Sequence, residues 1–120
     1  MNQVKIILKS HQNVVIVSSD QIVALTATGT YTNIILVSGK SVIMSKPLKY
    51  FEKKLNGAGF FRCHKSHIVN PKFFTEFNMI KGTALFSGIE IPVSRRNKSE
   101  FIKKVYEIFT VENANMTANK

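Results

Sequence analysis

Short runs of β-branched and aliphatic residues, broken at close intervals by Gly, Ser, Asn and Pro, dominate the chain, and this punctuation predicts strands rather than long helices. Val4 to Leu8 and Val14 to Val17 read as strands separated by the polar turn Lys9 to Asn13. Ile22 to Thr26 and Tyr31 to Val37 form a candidate pair hinged on Thr28-Gly29-Thr30. Ser38-Gly39 then turns into Lys40 to Met44, a hairpin signal. Thr75 to Ile80, Thr83 to Phe86 and Ile89 to Val93 predict a meander punctuated by Lys81-Gly82 and Ser87-Gly88. Only two segments carry a helical period. Pro47 to Leu55 opens on proline and aligns Leu48, Phe51 and Leu55, while Asn97 to Phe109 aligns Phe101, Ile102, Val105 and Phe109. The tail from Glu112 to Lys120 has no apolar anchor and is expected to fray. The fold class predicted is mainly β, with one short inner helix and a C-terminal helix.

At 120 residues the chain suffices for one domain with one substantial core. No apolar run approaches the roughly 20 residues of a membrane span, and Met1 to Gln12 is too polar for a signal peptide. The lone cysteine fits a reducing compartment, so a cytoplasmic, non-membrane domain is expected. Charge changes the picture more. The formal net charge is +10, and fourteen of the seventeen Lys and Arg residues lie between Lys40 and Lys104, with only Glu52, Glu76, Glu90 and Glu100 against them. Such a field concentrates polyanions. A merely solubilising lysine surface is the bland alternative. An anionic membrane fits less well, because no long helix sets a basic face against an apolar one.

Cys63-His64-Lys65-Ser66-His67 raises the question of chemistry. Neighbours in an extended segment point to opposite faces, so Cys63 and His64 do not converge on one metal ion or form a nucleophile and its base. No carboxylate lies between residues 53 and 75 to orient a histidine. Cys63 therefore reads as core packing, and no catalytic group, metal, cofactor or small-molecule substrate is expected. Alternation places Phe61 and Cys63 inward and Arg62 and His64 outward, with Lys65 and Ser66 on an exposed turn. Cationic and hydroxyl donors on a rigid turn suit phosphates and base edges. Arg95, Arg96 and Lys98 at the start of the last predicted helix oppose its dipole, a cost of about 0.3–1 kcal/mol per group that an anionic partner would offset.

These residues form an ordered series that resembles the LytTR domain, the DNA-binding half of LytR/AlgR-type bacterial response regulators. Asp20-Gln21-Ile22-Val23-Ala24-Leu25 is similar to the family's opening strand, and Gly29-Thr30-Tyr31-Thr32-Asn33 to its turn. Lys46-Pro47-Leu48 through Leu55 resembles its short helix, Phe60 through Asn70 its F-x-R-x-H-[RKN]-S-[YFH]-[IV]-V-N signature, and Ile91-Pro92-Val93-Ser94-Arg95-Arg96 its closing element. The resemblance implies a compact fold of several short antiparallel sheets whose loops enter the major groove of double-stranded DNA and thereby regulate transcription. By position, Tyr31 with Thr32 and Asn33 would form the first reading loop. Lys65 would reach a base edge while His64 and Ser66 hold phosphates. Arg95 would reach guanine, with Arg96 and Lys98 on the backbone and Lys46 as a further phosphate contact. Two copies on paired direct repeats are implied. The expected layout is residues 1–19 as preceding strands, 20–110 as the DNA-binding domain and 111–120 as a tail. Family members commonly carry an acidic receiver domain, which Met1 to Ser19 and the single Asp20 do not supply; a stand-alone regulator or a fragment are both compatible with this. The rival reading is a basic β-barrel that stacks RNA or single strands on exposed aromatics.

Overall fold

The computed structural model describes residues 3–110. Ten strands and two helices follow in the order β1 (Lys5–Lys9), β2 (Val14–Ser18), β3 (Ile22–Thr28), β4 (Tyr31–Leu36), β5 (Ser41–Met44), α1 (Leu48–Lys54), β6 (Phe61–His64), β7 (His67–Val69), β8 (Phe74–Asn78), β9 (Thr83–Phe86), β10 (Ile89–Pro92) and α2 (Lys98–Ile108). They form three antiparallel sheets: the β1–β2 hairpin, a five-stranded sheet in the order β5-β4-β3-β7-β6, and a meander β10-β9-β8. The mainly β architecture with an inner and a C-terminal helix is thus as the sequence predicts. The tail expected to fray lies outside the described residues.

Boundaries shift where local hydrogen bonds outcompete the ladder. β8 stops at Asn78 because its Oδ1 accepts from the Ile80 and Lys81 amides, closing a turn where the apolar pattern suggests more strand. Arg95–Asn97 form a 3₁₀ turn, and α2 begins only at Lys98. The β3–β4 turn is two residues long between the paired Thr28 and Tyr31, with Gly29 at φ 61, a left-handed value that glycine adopts without strain.

The five-stranded sheet is buried on both faces. On one, Ile22, Leu25, Ile34 and Ile68 pack against Leu48, Phe51 and Leu55 of α1 and its C-terminal end, and against Ile6, Leu8 and Val17 of the β1–β2 hairpin. On the other, Val23, Ala24, Cys63 and Val69 pack against Ala84, Phe86, Ile91 and Val93 of the meander and Phe101 and Val105 of α2. Phe101 is the hub of that second core, with the rings of Phe61, Phe74, Phe77 and Phe86 at 5.6–6.1 Å.

Strict alternation along β3 would put Ile22 and Leu25 on opposite faces. The register shift between Ile22 and Ala24 is a β-bulge that turns both toward α1 and both Val23 and Ala24 toward α2. Asn70, fully enclosed just after β7, secures the bulge: its Nδ2 donates to the carbonyls of Ile22 (3.0 Å) and Ser19 (3.4 Å). Its Oδ1 accepts from the Lys72 amide.

Candidate nucleic-acid interface

Antiparallel pairing brings the β3–β4 turn, the exit of β5 toward Lys46 and the β6–β7 turn to one end of the five-stranded sheet. A single row of register partners crosses all five strands there: Ile43 opposite Asn33, Asn33 opposite Thr26, Thr26 opposite His67, and His67 opposite His64. At about 4.8 Å per strand, four steps span about 19 Å. Two residues inward along β3 and β7, Ala24 and Val69 belong to the second core. The row therefore continues the face that the meander and α2 cover farther in, beyond the edge of that cover.

A second bulge shapes the β6–β7 turn. The register shift between Arg62 and His64 breaks the alternation that would place both on one outward face. His64 lies opposite His67, their rings 5.2 Å apart, whereas Arg62 pairs with Ile68 on the α1 side. Arg62 is committed there. Its Nη1 meets Glu52 Oε1 at 2.7 Å, Nη2 donates to the Lys65 carbonyl at 2.6 Å and Nε to the His64 carbonyl at 3.2 Å. These bonds hold the turn in shape, while part of the Arg62 side chain also lines the groove described below. The sequence offers one signal for this positioning role, an arginine three residues before an exposed lysine, and pattern alone does not separate it from the other cations.

The Ser66 amide donates to His64 Nδ1 at 3.1 Å, so a neutral His64 carries its proton on Nε2, which is then the ring's donor. The Ser66 carbonyl in turn accepts from the Ala27 amide at 2.8 Å, locking the turn to β3. His67 Nδ1 shares a hydrogen bond of 3.0 Å with Thr26 Oγ1. Burial, and secondarily the neighbouring His64, holds the His67 pKa below the ordinary histidine value. Lys65 stands exposed at the tip.

Cys63 joins this turn to the segment before α2. Its carbonyl accepts from the Ser94 amide at 2.9 Å, and its thiol lies 3.6 Å from the Pro92 carbonyl. The side chain is fully buried and burial pushes the thiol up to about 12, so it stays protonated and packs as a small apolar group. Through this joint Arg62, His64 and Lys65 come together with Ser94, Arg96 and Asn97 around an open groove of about 480 Å³. The Ser94 hydroxyl is buried there without a partner among the described residues. Arg95 is exposed on the same 3₁₀ turn but outside that groove's lining. Lys98 sits farther back, its Nζ 5.9 Å from the Phe77 ring centre.

Tyr31 and Asn33 do not join this groove. They line a separate open cleft of about 330 Å³ with Thr28 and Ile43. Lys46 is fixed beside their strand, since Thr32 Oγ1 donates to its carbonyl at 2.7 Å, and its ammonium lies 4.9 Å from the Tyr50 ring centre. The two ion pairs among the described residues, Arg62–Glu52 and Lys81–Glu90, engage none of Lys46, Lys65, Arg95, Arg96 or Lys98. The end of the sheet thus presents cations and polar donors with little internal neutralisation.

Residues 12–106 match the family model described as the LytTr DNA-binding domain. The sensory transduction protein LytT of Bacillus subtilis (strain 168) is 31% identical over 110 residues, covering 88% of this chain and 45% of that protein. The transcriptional regulatory protein LytR of Staphylococcus aureus (strain MW2) is 36% identical over 61 residues, covering 48% of this chain and 25% of that one. A solved LytTr DNA-binding domain from Bacillus cereus has a TM-score of 0.70 at 25% identity, covering 85% of this chain and 96% of that one. The chain spans less than half the length of the curated relatives it matches. The fold, the motif series and the matched span agree: the chain belongs to the LytTR family of DNA-binding domains.

Proposed function

We propose that this domain binds double-stranded DNA sequence-specifically, in the cytoplasm and without catalysis, as the reading part of a transcription regulator. The observation that carries the proposal is the convergence of the β3–β4 turn, the β6–β7 turn and the Ser94–Asn97 segment at one end of the sheet, with the cations of the last two around one groove. Two turns held between paired strands, and a third segment tied to one of them by the Ser94–Cys63 backbone bond, present donors at fixed spacing, which is what base reading requires, while the surrounding charge supplies affinity. Tyr31 and Asn33 read from the first loop, Lys65 from the second and Arg95 from the third. His64, through Nε2, with Ser66, Lys46, Arg96 and Lys98, holds phosphates. Two copies occupy paired direct repeats.

Stacking of single strands is less well supported. The exposed aromatics among the described residues, Tyr31, Tyr50, Tyr106 and Phe109, are dispersed over β4, α1 and the end of α2 and do not line one strand face. The test is selection from a random duplex pool, followed by titration of the recovered site against its single strands. A shared motif should emerge, the duplex should win, and affinity should fall by orders of magnitude between about 50 and about 200 mM salt. Recovery of unrelated sequences with a flat salt profile would refute the proposal.

A further inference from the structure

Ile43 is an isoleucine that is 67% exposed, at the far end of the row that His64 begins. Its partner across the ladder is Asn33, and with Thr28 and the half-exposed Tyr31 they form the apolar cleft of about 330 Å³ beside Lys46. Among the described residues nothing covers this isoleucine: the core residues of β4 and β5 lie elsewhere and Ile43 contributes to neither core. Asn33 is half-buried, with Oδ1 enclosed and without a partner among the described residues, so Nδ2 is the amide group left to donate to a ligand.

We infer that this cleft reads a thymine in the major groove, with Ile43 as a specificity-determining contact to the 5-methyl group and Asn33 Nδ2 as donor to O4. The inference rests on the duplex-binding reading above and adds to it a base identity and a residue. The chemistry is selective: thymine is the base whose major-groove edge puts an acceptor beside a methyl group, whereas cytosine offers a donor and guanine two acceptors with no methyl. The cleft has the complementary arrangement, one amide donor beside an apolar wall. Its position continues the row of donors that faces the nucleic acid, so the same docking that brings Lys65 to a base brings this cleft to another.

The test uses the duplex selected by the native domain, with each thymine replaced in turn by deoxyuridine, which deletes the methyl group and nothing else. At one position the native domain should lose about fourfold in affinity, the worth of one buried methyl. Ile43→Ala should bind the original duplex about that much more weakly and should no longer distinguish thymine from uracil at that position. Thermal unfolding should be nearly unchanged, since the side chain is exposed. If no thymine is sensitive, or if Ile43→Ala retains the full sensitivity, the inference is overturned while salt-dependent, site-specific binding leaves the duplex-binding reading intact. If no duplex is bound specifically, both are overturned.

Discussion

Arg62 lies under the turn that carries Lys65 and donates from Nη2 to the Lys65 carbonyl at 2.6 Å, so the cation proposed to read a base is held in place by a second cation. The same guanidinium reaches Glu52 on the exposed face of α1, tying the turn to the opposite layer. Arg62→Ala should therefore lower stability by about 1–2 kcal/mol, since the ion pair is largely solvated and two backbone carbonyls lose a donor. Its larger effect should be on discrimination. The preferred duplex should weaken more than a scrambled one, and amides of residues 64–67 should exchange faster with solvent. Equal weakening of both duplexes with unchanged exchange would show that Arg62 acts only as bulk charge. Arg62→Lys, which keeps the charge and loses the planar fork, should resemble Arg62→Ala.

Cys63→Ser should leave DNA binding almost intact and cost about 1–2 kcal/mol, because a hydroxyl enters a fully enclosed site. A pKa pushed up to about 12 keeps the thiol unreactive, so alkylation of the folded domain should be slow and follow unfolding. A chelator should not change binding. Rapid labelling in the native state, or zinc copurifying in stoichiometric amount, would contradict packing as the role of Cys63.

His67 links stability to pH. Its folded pKa is depressed by burial, with a smaller contribution from His64, so below about 6.5 the unfolded chain binds a proton that the folded chain resists. The unfolding temperature of the free domain should thus decline as the pH falls from about 6.5 through the folded value, and be insensitive to this group above about 6.5. His67→Gln, which keeps a hydrogen-bonding partner for Thr26, should flatten that decline. The check is thermal unfolding of both proteins across this range; parallel curves would assign the acid sensitivity to other groups.

The hairpins and both helices were legible because each carries its own local signal: alternation with a glycine turn, or apolar residues at helical spacing. The two bulges were not. Ile22-Val23-Ala24-Leu25 is a continuous apolar run that specifies burial on both faces but not which residue faces which core. The irregularity after Arg62 sends it and His64 to opposite faces, and a period-two reading of Phe61 to His64 has no means of marking the slip. For the candidate site, motif positions pointed to His64, Lys65 and Arg96, which the fold gathers around one groove. Arg62 and Ile43 went unassigned because their significance depends on partners from distant segments: Glu52 for the first, Asn33 and Thr28 for the second.

Arg95 and Arg96 are adjacent on the 3₁₀ turn but only Arg96 lines the groove shared with His64 and Lys65, so the base-reading and phosphate-holding roles proposed for them can be tested separately. If Arg95 reaches guanine through its two-pronged edge, Arg95→Ala should cost about 1–3 kcal/mol on the preferred duplex and much less on a scrambled one, so the specificity ratio collapses. Arg96→Ala should instead weaken both duplexes alike and lower the slope of log affinity against log salt by about one unit. Lys65→Ala should behave as Arg95→Ala but at a different base position, because the two residues are carried by separate loops that meet through Cys63, at its backbone bond to Ser94 and its thiol contact with Pro92. Both arginines are exposed, so none of these changes should disturb folding, and circular dichroism of each variant checks that. The measurement is competition binding of each variant against both duplexes at several salt concentrations. Uniform loss for Arg95→Ala and Lys65→Ala would mean that neither side chain reads sequence, and would leave discrimination to the Tyr31 loop and the Ile43 cleft beside it.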